Sequence, residues 1–129
     1  RRKRQSSATR YLRDVWAVGC LVFELLTGHM LFGSDEAAET LHRITSDDAP
    51  LLGKEQRRLL REALGRHSDA MLDAMVAHVD QLLGFIVVRD PTRRPALREA
   101  RQKLDETLMR IPSSPLRSIG FPGAAHAAP

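Results

Sequence analysis

Apolar residues along the chain recur at helical spacing, and no stretch alternates as a half-buried strand would. In residues 14–27, Val15, Trp16, Val18, Leu21, Val22, Phe23, Leu25 and Leu26 cover almost the whole circumference of a helix. A helix apolar on all sides has to be enclosed by other elements, so this one is expected at the centre. Asp14 is the expected cap of its first turn and Gly28 its left-handed stop. A turn at 29–34 leads to a short helix at 35–44 with acids in its first turn. After a loop at 46–53, residues 54–64 place Leu59, Leu60, Ala63 and Leu64 opposite Lys54, Arg57, Arg58 and Arg61. Ser68 and Asp69 open a long helix whose buried face is Met71, Leu72, Met75, Val76, Val79, Leu82, Leu83 and Ile86. Asp90-Pro91 marks a turn, and Pro95 suits the first turn of a last helix. That helix carries the stripe Leu97, Ala100, Leu104 and Leu108, with Glu99 and Lys103 spaced for an ion pair. The folded part is therefore expected to be all-α. It divides into a basic tail at 1–13, a helical body at 14–111 and a proline- and glycine-bearing tail at 112–129.

Composition narrows the class. The 129 residues can bury a modest core in one domain, and the 5% aromatic content makes that core aliphatic. The longest uncharged apolar run, residues 15–23, is far too short for a membrane helix. Cys20 is the single cysteine, which excludes an intrachain disulfide and a cysteine-based zinc site and favours a reducing, intracellular address in cytoplasm or nucleus. The net charge of +4 conceals an asymmetry: six basic groups and no acid lie in residues 1–13, whereas the rest of the chain is slightly acidic. The run Arg1-Arg2-Lys3-Arg4 fits a nucleic-acid contact, a nuclear address, a kinase-directing sequence for Ser6 and Ser7, or a solvated terminus. Without interleaved aromatics it argues against a single-strand stacking platform, and nucleic acid is not the expected partner.

Common catalytic constellations are missing. His29, His42, His67, His78 and His126 share no helical ligand spacing, and no two glycines stand two apart to form a phosphate loop. Cys20 falls inside an apolar helix, where a structural thiol is the usual finding.

Three motifs point further. DVWAVGCLVFELLTGHMLF, residues 14–32, resembles the buried central helix in the large lobe of eukaryotic protein kinases. DPTRRP, residues 90–95, resembles the turn before that lobe's last helix, and two helices fit between the motifs. ATRYLR, residues 8–13, resembles the end of the activation segment in the group containing mitogen-activated and cyclin-dependent kinases. The resemblance spans residues 14 to about 110 and implies a helical large-lobe fragment of a protein-kinase-like fold. It implies that Thr9, Arg10, Tyr11 and Arg13 shape a substrate pocket. It also implies that Asp14 steadies the catalytic loop, Trp16 packs beneath the activation segment, and Gly19 admits a close neighbour. Arg94 would pair with a glutamate of an alanine-proline-glutamate segment that the chain lacks, because Asp14 follows Arg13 directly. Without that partner Arg94 is expected to behave as an ordinary surface cation.

The implied parent activity is ATP-dependent phosphorylation of protein serine or threonine, with Mg and ATP as cofactors and a protein as substrate. No catalytic, cofactor-binding or metal residue for that reaction is found here. The lysines are Lys3, Lys54 and Lys103, none on a strand, and His42-Arg43-Ile44 and Leu31-Phe32-Gly33 only imitate kinase motifs out of order. The expectation is a catalytically inactive, pseudokinase-like portion that relies on a small lobe and catalytic loop elsewhere. The alternative is a non-catalytic interaction module built on a kinase-lobe shape. Two further expectations follow: uncovered apolar surface on the 14–27 helix, and an omission of about a dozen residues at the Arg13–Asp14 junction that prevents ATRYLR and Asp14 from both taking their family positions.

Overall fold

The computed structural model describes the backbone of residues 7–111 and side chains from Tyr11 onward. Five α-helices follow one another: α1 (Ser7–Thr27), α2 (Ala37–Thr45), α3 (Lys54–Leu64), α4 (Asp69–Ile86) and α5 (Leu97–Arg110). A single 3-10 turn at Pro91–Arg93 joins α4 to α5, and no strand occurs among the described residues. The all-helical expectation holds.

α1 and α4 organise the body. α4 packs against α1, α3 and α5, and α1 also meets α3 and α5. Val15, Val22, Phe23 and Leu26 of α1 share one core with Leu60 and Leu64 of α3 and with Leu72, Met75, Val76, Val79, Leu82, Leu83 and Ile86 of α4. Gly19 allows the close crossing of α1 and α4. A Cβ there would overlap the Val87 Cγ2 methyl and stand 3.0 Å from Ile86 Cγ2. Gly28, at φ +74°, ends α1 in the left-handed region, as its sequence position predicts. Ser68 caps α4, its hydroxyl accepting from the Met71 amide at 3.2 Å.

Several local expectations fail for physical reasons. Asp14 does not cap α1: the helix begins at Ser7 and runs through 13–14 without a break, leaving Asp14 exposed in mid-helix. The helical spacing of residues 7–13 is compatible with continuation, and nothing in them breaks it. α1 is not enclosed on every side: Leu21 and Leu25 stay 51% and 48% exposed, the uncovered apolar surface expected of this helix when its covering parts are missing. Met71 is exposed because it lies at the start of α4, where no neighbour covers it. α5 starts after Pro95, with Ala96 as its cap residue. Lys103 lies 5.8 Å from the centre of the Phe85 ring and is not paired with Glu99. On the basic face of α3, Arg57 pairs with Asp80, and Arg61 with Asp69 and Asp73, tying α3 to α4. These exposed pairs contribute modestly.

Candidate functional site

The site forms where α2 meets the α4–α5 connection and the first half of α1. α2 has no broad packing surface against another helix and is held by arginines instead. The Arg43 guanidinium donates to the Leu31 carbonyl at 2.8 Å and to the Leu51 carbonyl at 2.9 Å, fixing the loops on either side of α2. Arg89, just beyond α4, donates to the Arg43 carbonyl at 2.8 Å and to the Ala49 carbonyl at 2.8 Å. Arg94 donates through Nε to Val88 O (2.7 Å), through Nη1 to Leu12 O (2.9 Å) and through Nη2 to Arg89 O (3.2 Å). A planar fork with five N–H donors can serve several carbonyls from one position, which a lysine cannot.

Aromatic rings connect these cations. Trp16 and Phe32 stack with centroids 5.4 Å apart and planes 2° from parallel. Arg94 Cζ lies 5.0 Å from the Trp16 ring centre and Arg43 Cζ 5.4 Å from that of Phe32. Each cation meets the negative face of a π-system in a partly desolvated setting, where such contacts are strongest. Burial lowers the Arg43 pKa; Glu39 opposes the shift and neighbouring Arg89 reinforces it.

Beside this stack opens a pocket of about 490 Å³ lined by Leu12, Arg13, Trp16, Ile44, Arg89, Pro91 and Arg94. Its walls are apolar and its charged groups are all cations. Among the described residues no carboxylate lies within ion-pair distance of Arg13, Arg89 or Arg94. Asp90 follows Arg89 in sequence but is turned to Thr92, accepting from its amide at 2.9 Å and its hydroxyl at 2.7 Å. Those bonds, chiefly the hydroxyl's, hold the Asp90 carboxyl below its ordinary range.

Of the residues singled out in the sequence, the structure brings Arg13, Trp16 and Arg94 to this pocket. Tyr11 and Asp14 are exposed, and Gly19 lies further along α1 against Ile86 and Val87. Thr9 and Arg10 lie within α1, their side chains outside the described set. Arg94 is half-buried and anchored by three carbonyls, which corrects the expectation of a surface cation. Sequence reasoning missed Arg43, Arg89 and Phe32. The available signals were a lone arginine between Leu41 and Ile44, and an arginine ending the apolar run Phe85–Val88.

Other features carry less chemistry. A larger groove of about 600 Å³ includes His29, Asp35, Glu39, Arg43 and Glu55, cations and anions mixed. Burial pushes the Cys20 thiol up, away from the reactive thiolate. Among the described residues no three His, Cys, Asp or Glu side chains are placed to hold a metal ion. Of the described lysines, Lys54 opens α3 and Lys103 sits over Phe85. No described helix is long and apolar enough to cross a membrane.

No family model matches the chain, and no solved structure matches it. Individual proteins do. A probable serine/threonine-protein kinase of Dictyostelium discoideum is 33% identical over 103 residues, covering 80% of this chain and 4% of that protein. The mitogen-activated protein kinase pmk-3 of Caenorhabditis elegans is 32% identical over 115 residues, covering 70% of this chain and 23% of its own length. The serine/threonine-protein kinase PknL of Mycobacterium tuberculosis is 30% identical over 83 residues, covering 64% of this chain and 17% of PknL. The chain thus spans no more than about a quarter of these kinases. With the order of its helices and its kinase-like motifs at residues 14–32 and 90–95, this similarity places the chain in the serine/threonine protein kinase family, as a helical part of the large lobe of the catalytic domain.

Proposed function

We propose that this chain serves as large-lobe scaffold for a kinase that transfers the terminal phosphoryl group of ATP to protein serine or threonine, and that it carries no reacting group itself. The similarity to serine/threonine kinases is the observation that carries this reading. α1 is the frame on which α3, α4 and α5 assemble, and its first half meets the arginine-clamped pocket. ATP, when bound to the whole enzyme, would supply the transferable phosphoryl group and magnesium would neutralise its charge; the residues for them would belong to a small lobe and catalytic loop. Arg13, with Thr9, Arg10 and Tyr11 by family resemblance, would contribute to the rim that meets a protein substrate. An intracellular address agrees with this activity.

The test uses two products. The chain as given should show no Mg-ATP-dependent rise in melting temperature and no transfer of labelled phosphate to a generic basic protein. A product extended by its upstream coding sequence should do both. Nucleotide binding by the short chain would overturn the scaffold reading. An extended product with an intact lysine and metal-binding aspartates but no transfer would favour the second reading, a non-catalytic protein-interaction module. That reading draws on the exposure of Leu21 and Leu25.

A further inference from the structure

We infer that the pocket beside Trp16 binds a phosphate monoester, with Arg13, Arg89 and Arg94 as the anion-binding groups. The first argument is charge. Three guanidinium groups line one pocket of about 490 Å³ that has no acidic residue in its wall. Like charges brought together around an opening are stabilised by an anion placed among them, and a dianion answers the cluster better than a single carboxylate.

The second argument is donor accounting. Arg89 uses Nε and Nη2 on the Arg43 and Ala49 carbonyls, which leaves both Nη1 hydrogens without a partner among the described residues. Arg94 commits three of its five N–H groups, one from each nitrogen, and retains one hydrogen on each Nη. Arg13 is exposed at the rim. The carbonyl bonds hold Arg89 and Arg94 in place, so their spare donors are pre-positioned. A phosphate monoester presents three acceptor oxygens and close to two negative charges to these donors.

The third argument is the wall. Leu12, Trp16, Ile44 and Pro91 give the pocket an apolar side on which the carbon skeleton of an ester can rest. Free phosphate and a phosphorylated side chain share the recognised group and differ in the use of that side. The proposal rests on the pocket of this chain and is independent of the kinase scaffold reading.

The chain contains one tryptophan, Trp16, which lines the pocket and so reports on it. Its fluorescence should be followed while inorganic phosphate, or a short phosphoserine–leucine peptide, replaces chloride at constant ionic strength and neutral pH. A saturable change with either probe is expected. A lower midpoint for the peptide assigns a phosphorylated protein as the source; equal midpoints assign free phosphate. Arg13→Gln, which removes no side-chain hydrogen bond or ion pair among the described residues, should raise the midpoint at least threefold, and Arg89→Lys should raise it further. Arg58→Gln, on the far-from-pocket salt bridges of α3, should leave it unchanged. A linear response no larger than that to chloride would overturn the inference. So would an unchanged midpoint in folded Arg13→Gln, or an equal midpoint for acetate, which would make this a plain carboxylate seat.

Discussion

Replacing Arg94 by alanine should cost the fold a large part of its stability. The side chain donates to Val88, Leu12 and Arg89 carbonyls at 2.7, 2.9 and 3.2 Å and lies over Trp16 at 5.0 Å. Hydrogen bonds from a charged donor contribute about 1.5–3 kcal/mol each. A partly desolvated cation–π contact adds about 0.5–2 kcal/mol. The full sum is not lost. Arg94 is half-buried, so water can reach some of the freed carbonyls, and Leu12 O keeps its place in the hydrogen-bond ladder of α1. Discounting for these, Arg94→Ala should destabilise by about 2–4 kcal/mol, against a total of about 5–15 kcal/mol for a domain of this kind. At about 4–8 °C per kcal/mol, the melting temperature should fall by at least about 8 °C. Urea unfolding followed by circular dichroism measures the free energy, and Trp16 fluorescence reports separately on the stack. Arg94→Lys keeps the charge without the fork and should recover less than half of the loss. Arg58→Ala, whose partners are the exposed Glu55 and Glu62, sets the baseline at about 0.5 kcal/mol or less. An Arg94→Ala loss no greater than that baseline, with cooperative transitions in both proteins, would refute the reasoning.

Gly19→Ala should destabilise by about 1–3 kcal/mol despite the better helix propensity of alanine, because its Cβ meets Val87 and Ile86 where α1 crosses α4; the paired variant Gly19→Ala with Val87→Ala should recover part of the loss in the same unfolding assay. Leu21→Gln with Leu25→Gln should lower dye binding and self-association while changing the melting midpoint little, since both side chains are about half exposed; sedimentation and dye fluorescence check this. The Asp90 carboxyl is held below its ordinary range in the fold, so its contribution is complete above that range and is lost as pH falls through the depressed folded value. Asp90→Asn should therefore flatten the acid limb of stability against pH and leave its alkaline limb alone.

The core face of α4 was legible because a long helix buried on one side repeats its signal. Leu72, Met75, Val76, Val79, Leu82, Leu83 and Ile86 are all buried where the spacing placed them. Gly28 was legible because a glycine after an apolar helix has few other uses. The start of α1 was not. Asp14 has the chemistry of a cap, but capping requires a chain that turns away, and residues 7–13 continue the helix. The pocket was half legible. Trp16, Arg13 and Arg94 were marked by motif, whereas Arg43 and Arg89 act on carbonyls of residues up to 46 positions away. No periodicity records such partners. An arginine whose partner is a backbone carbonyl looks, in sequence, like any solvated cation.

The continuity of α1 also defines what the Arg94 seat can accept. Its Nε and Nη2 are fixed by Val88 and Arg89 carbonyls, both in the connection that follows α4, so the guanidinium keeps its position whatever meets Nη1. At Nη1 the partner is Leu12 O, a neutral carbonyl that already belongs to a helical ladder. That bond satisfies a donor but does not neutralise the charge. A phosphate oxygen delivered to the same place would form a charge-assisted bond roughly twice as strong, at the expense of one neutral contact. Arg43 is different, because both of its carbonyl partners lie in the loops that flank its own helix and removing either frees a loop. Arg94 is therefore the arginine of the pocket whose contact to α1 can be exchanged without dismantling the turn that holds it.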